Sequence, residues 1–280
     1  MKILFALLLC LVATNVFAQT ATPIELDPEM LFLEHSGVTS SATSTGLLSM
    51  ILVPLHTAIE TLPAGLSVVP SKIEKTKNGL GYPVVLFIGS HKNLTAHYPE
   101  GDFVVAPQYN EITFTMAVHG PHDSGKVYGY TSKIMVDNVP AMLLGWSLGY
   151  PKVLAKFSSS KDGMLAENPL GQLMADIQTY PDSQLNMAQY KANLAQMMAQ
   201  ASEISATIGR RADGKFICFD FVWQFQQARF APVNVRLQLR DAFLGAGLGG
   251  EFDSPALDKG SNGSVQFTSA WKMNGFRECE

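Results

Sequence analysis

Lys152 is the residue of this 280-residue chain whose surroundings most suggest chemistry. From Val139 to Ala155 it is the single charge in seventeen residues, set in Gly149-Tyr150-Pro151-Lys152-Val153-Leu154-Ala155. Burial disfavours an ammonium, so an amine held there is expected to give up its proton more readily than a free lysine. A neutral amine on a flexible stem attacks carbonyl carbon, the first step toward a Schiff base. A lysine snorkelling out of an apolar edge would carry the same sequence. Because burying an amine is unfavourable, Lys152→Met is expected to leave the fold intact or firmer.

Three other groupings compete for attention. Glu111 opens an alternating strand after Tyr109-Asn110. Facing inward it is a buried carboxylate in need of a partner; facing outward it is a strand-end residue in water. Gly145-Trp146-Ser147-Leu148-Gly149 spells the G-x-S-x-G of a hydrolase elbow, whose His must follow the Ser. All six His precede Ser147, the last being His122, so the match is fortuitous. His119-Gly120-Pro121-His122-Asp123 sets three potential ligands in five residues, but its Gly and Pro describe a hairpin turn and no fourth ligand has suggestive spacing. No metal is assigned there. His91 and His97 read as part of another polar loop.

The elements that must position these residues are mostly strands. Apolar residues make up 47% and charged residues 16%, which excludes a disordered chain. The net charge of -4, with no basic run, argues against a nucleic-acid partner. Strand-like runs cover 46–53, 82–88, 102–106, 111–118, 126–136, 152–158, 216–226, 231–239 and 264–273, separated by turn signals. In 112–116 the period is two, as in a strand with one face in water. Short helices are expected after Pro54 and over 140–148, and a longer one over 183–204. The reading is one mostly β domain of the α+β kind, largely antiparallel, over 46–280, with 19–45 as a lead-in.

Residues 1–18 read as an address. One Lys, an eleven-residue apolar run and Val16-Phe17-Ala18 before Gln19 describe a signal peptide, and the run is short for a spanning helix. The mature chain is therefore expected to be exported, periplasmic or secreted, with no membrane span. Cys218 and Cys279 are then its two thiols: either a bridge that holds the C-terminus, or a buried thiol and a free one. Three Cys in all are too few for a disulfide scaffold or a zinc cluster.

Taken together, Tyr109-Asn110-Glu111, Gly125-Lys126-Val127-Tyr128-Gly129-Tyr130, Met135-Val136-Asp137-Asn138-Val139-Pro140-Ala141 and Gly145…Gly149-Tyr150-Pro151-Lys152 resemble the acetoacetate decarboxylase family. Ile217-Cys218-Phe219 and Val235-Arg236-Leu237-Gln238-Leu239 extend the resemblance. It implies a curved antiparallel sheet closing as a cone-like barrel around Lys152. It implies Lys152 as the Schiff-base lysine, Glu111 as a carboxylate of the active site, and Tyr150, Trp146 and Ser147 as neighbours of the substrate. An iminium on Lys152 is an electron sink, so a bond on the neighbouring carbon can break toward nitrogen, with no cofactor and no metal. The partner is a small carbonyl compound; a homo-oligomer, common in the family, is left open.

The departures from the family shape the functional reading. Val153 stands where the family has a second lysine, Gly145-Trp146-Ser147 replaces Gly-Arg-Glu, and no Arg precedes Arg210. A second family carboxylate falls near apolar Phe87-Ile88. The chain is read as a divergent Schiff-base lyase acting on a β-keto acid by decarboxylation, or on a less polar carbonyl compound by aldol or dehydration chemistry. The alternative is an exported small-molecule binder on the same barrel without turnover.

Overall fold

The computed structural model describes residues 39–76, 79–121, 125–160, 163–180, 195, 203–211, 213–224, 229–241, 248–253 and 264–279. Strand β1 (Thr39–Pro54) leads into helix α1 (Leu55–Glu60). Short β2 (Ser67–Val68) and β3 (Glu74–Thr76) precede the long ribbon of β4 (Gly79–Tyr98) and β5 (Gly101–His119). Then come β6 (Val127–Val136), α2 (Val139–Ser147) and β7 (Lys152–Leu154). The strands β8 (Lys156–Ser160), β9 (Gly163–Glu167), β10 (Leu173–Tyr180), β11 (Ile204–Arg210) and β12 (Phe216–Trp223) follow. The chain closes with β13 (Arg229–Pro232), β14 (Asn234–Leu239), β15 (Gly250–Asp253) and β16 (Val265–Glu278).

Seven strands close on themselves in the order β1-β4-β5-β6-β11-β12-β16 and back to β1. Every pairing in the ring is antiparallel except β6–β11, so the barrel is mixed where a wholly antiparallel wall was the simplest expectation. Closure removes the free sheet edges that an open sheet of this size would expose. A second sheet, β15-β14-β10-β9-β8, covers one side.

Burial separates the two faces of the barrel wall. Leu47, Val84, Leu86, Ile112 and Phe114 form one buried cluster with Ala166, Ala175, Ile177, Val235 and Leu237 of the second sheet. The inward face carries a second cluster, Tyr109 of β5 with Ile134 of β6, Phe219 of β12 and Trp271 and Met273 of β16. The period of two in 112–116 is thus real, but neither face lies on the outer surface of the molecule: Thr113 and Thr115 line the interior cavity. An alternating pattern does not say whether its polar face looks at solvent or at a site.

Three expectations need correction. β1 begins at Thr39, so 39–45 is strand and not lead-in. Small alternating Ser and Thr gave it no apolar signature, yet Ser40 and Ser44 are buried. His91 and His97 lie on β4, not in a loop. The polar cluster Ser90-His91-Lys92-Asn93 marks a bulge, with Asn93 at φ 55° and a register shift at Leu94/Thr95. The separate strands read over 102–106 and 111–118 are one, β5. The helix read over 183–204 lies outside the described residues, apart from Ala195, which is helical, and Ile204, which begins β11. His122 and Asp123 are also outside them, and among the described residues no three His, Cys, Asp or Glu gather as a metal site.

Cys218 and Cys279 are bonded, with Cα atoms 5.0 Å apart. The bond ties the end of β16 to β12 across 61 positions of sequence. Among the described residues no helix is long and apolar enough to cross a membrane.

Candidate active site

The local sequence explains how Lys152 reaches the barrel interior. Asn138 caps α2 by accepting from Ala141 N at 2.9 Å, and Pro140 stands in its first turn, where a missing N–H costs nothing. Asp137, just ahead, accepts from Asn110 N at 2.7 Å and Asn110 Nδ2 at 2.6 Å, which anchors the helix start to β5 beside Glu111. The helix ends at Ser147, and Gly149 just beyond its C-cap Leu148 has a φ of 75°, the left-handed conformation glycine allows. Tyr150 N returns to Gly145 O at 2.9 Å, and the chain reverses into β7, parallel to β6, with Lys152 beside Ile134. Gly145 carries no side chain because the Lys152 stem occupies that space: a Cβ built there would stand 2.5 Å from Cε and 2.8 Å from Cγ.

Lys152 is 8% exposed and donates from Nζ to Glu111 Oε2 at 2.8 Å. Glu111 is 7% exposed, so both charges are out of bulk water and each is the other's main compensation. Nζ also lies 5.4 Å from the centre of the Tyr109 ring. Burial pushes the Glu111 carboxyl up, but Lys152 and then His91 pull harder, and it falls from 4.5 to about 2. Burial, followed by the Glu111 charge, drives the Tyr109 and Tyr150 hydroxyls well above 10, so both remain phenols.

His91, Ser44 and Trp271 were not anticipated, and they complete the cluster. Register sets Ser44, His91 and Tyr109 directly opposite one another across β1, β4 and β5, hence on one face. His91 is 3% exposed and stacks on Tyr109 with ring centres 4.8 Å apart. Its Nδ1 is 2.6 Å from Ser44 Oγ and 3.2 Å from Trp271 Nε1, which also donates to Ser44 Oγ at 2.8 Å. Its Nε2 stands 3.5 Å from Glu111 Oε1 and makes no hydrogen bond. The signal in sequence was the period-two run Phe87, Gly89, His91, hidden by the polar residues of the bulge.

Lys152, Glu111, His91, Tyr109 and Tyr150 all line one cavity of about 600 Å³. Its wall is otherwise largely apolar and aromatic, with Leu48, Val85, Phe87, Phe221, Trp223 and Trp271. Trp146 and Ser147, expected beside the substrate, are not in the lining. Trp146 Nε1 donates instead to the Lys152 carbonyl at 2.7 Å, and Ser147 Oγ bonds back to Leu144 O at 2.7 Å within its own helix. No Arg is among the described residues of the wall; the lysine there besides Lys152 is Lys72, ion-paired with Glu203. Lys156 starts β8 in the second sheet, exposed. A further Ser–His–Asp line, Ser41 Oγ to His97 Nε2 and His97 Nδ1 to Asp102 Oδ1, both 2.8 Å, lies apart from the cavity, with Asp102 67% exposed. It is a cross-strand contact in solvent.

Residues 57–212 match the family model described as acetoacetate decarboxylase, more than half of the chain and including every element that carries Glu111 and Lys152. The chain belongs to the acetoacetate decarboxylase family. No curated protein sequence matches it. Among solved structures it is similar to an acetoacetate decarboxylase-like enzyme from Sphingomonas wittichii RW1, at TM-score 0.53 and 13% identity over 94% of this chain and 99% of that one. It is also similar to the acetoacetate decarboxylase of Legionella pneumophila, at TM-score 0.51 and 11% identity over 96% and 95%. The enduracididine biosynthesis enzyme MppR, complexed with the condensation product of pyruvate and imidazole 4-carboxaldehyde, matches at TM-score 0.52 and 13% identity over 92% and 97%. Such identities establish a shared barrel.

Proposed function

We propose that Lys152 forms a Schiff base with a small, weakly polar ketone or keto acid, and that the chain catalyses bond breaking or making at the carbon next to that carbonyl. The observation that carries this reading is a buried amine paired with Glu111 at 2.8 Å in the wall of the barrel cavity. Once Nζ has lost a proton it attacks the carbonyl carbon, and loss of water leaves an iminium. A bond on the neighbouring carbon then breaks with its electron pair passing toward nitrogen. Carbon dioxide departs if that bond led to a carboxylate; a proton or an aldehyde departs in the other cases. The depressed Glu111 carboxyl is a poor acceptor for the Nζ proton at neutral pH. Its role is a fixed counter-charge to the iminium, in surroundings where charge acts strongly.

The wall favours one chemistry over the other. A small keto acid asks for a cation at its carboxylate, and the described lining supplies no Arg for it. Aromatic surface instead rewards an apolar substituent. Aldol or dehydration chemistry on a less polar compound is therefore favoured over decarboxylation of acetoacetate. That MppR holds a keto acid–aldehyde condensation product supports carbon–carbon chemistry as within reach of this barrel. The bond between Cys218 and Cys279 suits an oxidising compartment, which supports reading residues 1–18 as an export signal.

Borohydride trapping tests the proposal. Incubated with acetoacetate or 4-phenyl-2-butanone and reduced, the protein is expected to gain the mass of the corresponding adduct on Lys152, with 4-phenyl-2-butanone giving the faster trapping. Binding of the apolar ketone without any adduct would mean a binder and not an enzyme. Carbon dioxide release from acetoacetate at a rate above that of the Lys152→Met variant would restore decarboxylation as the main activity.

A further inference from the structure

The hydrogen bonds around His91 determine where its proton sits. An indole N–H only donates, and Trp271 Nε1 lies 3.2 Å from His91 Nδ1. A proton on Nδ1 would meet that N–H head-on. Ser44 Oγ accepts from Trp271 at 2.8 Å, which leaves its own hydrogen for Nδ1 at 2.6 Å. Nδ1 is thus an acceptor twice over, and the neutral ring carries its hydrogen on Nε2.

That Nε2–H is buried, in the cavity wall, and without a hydrogen-bond partner. Its neighbour Glu111 Oε1 is 3.5 Å off, beyond the range of a good N–H···O bond. A buried donor left short of a partner is rare, and here it belongs to a residue of the cavity wall, beside the carboxylate that holds Lys152. Glu111 turns Oε2 to Lys152 and Oε1 to His91, so two N–H donors sit at the two ends of one carboxylate. The oxygens of a β-dicarbonyl in its enol form lie little farther apart than those of a carboxylate. A β-dicarbonyl joined to Nζ through one carbonyl carbon carries its second oxygen on the next carbon but one, the spacing that would offer it to a donor on the other side of Glu111.

We infer that His91 is the specificity-determining donor for a second, uncharged oxygen on the substrate, selecting β-diketones and β-hydroxy ketones over simple ketones. The inference rests on Lys152 as the Schiff-base amine. Ser44 and Trp271 act through His91, as positioning residues that hold the Nε2–H tautomer. The aromatic wall beyond, with Phe87 stacked 4.9 Å from His91, accepts the apolar remainder.

The test uses two probes that differ by that oxygen. 1-Phenyl-1,3-butanedione condenses with an amine, releasing one water, to an enaminone read by its near-ultraviolet absorbance. 4-Phenyl-2-butanone is read by borohydride trapping on Lys152. His91→Asn keeps a polar group toward Ser44 and withdraws the Nε2 donor; His91→Gln returns a donor near the Nε2 position. His91→Asn is expected to raise the half-saturating diketone concentration ~10-fold more than that of the monoketone, the scale of one lost hydrogen bond. His91→Gln is expected to recover most of the diketone affinity. His91→Phe, with folding checked by circular dichroism, gives the same contrast should His91→Asn fold poorly. Equal losses for the two probes, or none for the diketone, overturn the inference and leave His91 a support for Glu111. Wild-type protein that modifies Lys152 with neither probe defeats the Schiff-base reading itself, and this inference with it.

Discussion

Along β5, Ile112 and Phe114 turn toward the layer beneath the second sheet, while Glu111, Thr113 and Thr115 turn toward the cavity. Neither face lies on the outer surface of the molecule, yet they are built on different terms. The outer one is apolar on both sides and is stabilised by area and close packing. The inner one spends stability on an ion pair, a half-satisfied imidazole and an open volume, none of which a core chosen for stability would retain. Over 111–115 the strand thus serves as scaffold on its even residues and as site on its odd ones, and the alternation that makes a β-strand is what lets the two coexist.

The sharpest way to break that contrast is to damage each face in turn. Phe114→Ala is expected to cost about 3–5 kcal/mol in denaturant unfolding, since it opens a hole among fixed neighbours. Trapping per folded molecule should stay within ~3-fold of wild type. Lys152→Met should abolish trapping altogether. The expectation from sequence that it leaves the fold as firm as before does not survive the structure, because Glu111 is left buried with its main partner gone. The loss at pH 7 should reach about 3–5 kcal/mol, and Lys152→Met/Glu111→Gln should regain most of it. A single Lys152→Met variant as stable as wild type would show that the inner face bears no such charge penalty.

Acid titration separates the faces next. The folded-state pKa of Glu111 is depressed from 4.5 to about 2. Its contribution is therefore present in full above the unfolded value and is lost as pH falls from about 4.5 to about 2. At 1.36 kcal/mol per unit this is on the order of 3 kcal/mol. Unfolding free energies of wild type and Glu111→Gln, measured across that window, should differ in slope by close to one proton. Parallel curves would mean that Glu111 carries no depressed carboxyl. The outer face, whose cluster holds tyrosines but no carboxylate or imidazole, contributes no slope of its own in that window.

How much of this could be read from sequence follows from the range of each contact. The run of strands, α2 and its cap are local, and apolar period and turn chemistry announce them. Lys152 stood out because burial of its whole neighbourhood was written into seventeen consecutive residues. Glu111 was visible as an alternation but not assignable to a face, since periodicity has no way to distinguish solvent from cavity. Ser44, His91 and Trp271 meet only through barrel closure, His91 and Trp271 across 180 positions and Ser44 and Trp271 across 227. No local pattern encodes that. The pairing of Cys218 with Cys279 was left open for the same reason: spacing says nothing of Cα separation.

The smallest effect on stability should come from Gly145, and it sharpens the contrast most. Gly145 lies inside α2, where alanine is ordinarily the better residue by about 0.5–1 kcal/mol. Against that, its added Cβ meets the middle of the Lys152 stem, not the flexible tip. The helix gain and the steric cost oppose each other, so Gly145→Ala should change unfolding free energy by no more than about 1 kcal/mol in either direction. The amine, however, is pushed off its line to Glu111, and a displacement near 1 Å is enough to slow a reaction on the order of 10²-fold. A melting temperature close to wild type with a collapsed borohydride-trapping rate is the expected pair of results. Unchanged trapping would mean that the position of Nζ is not set by this glycine, and that the inner face tolerates more disorder than its close packing implies.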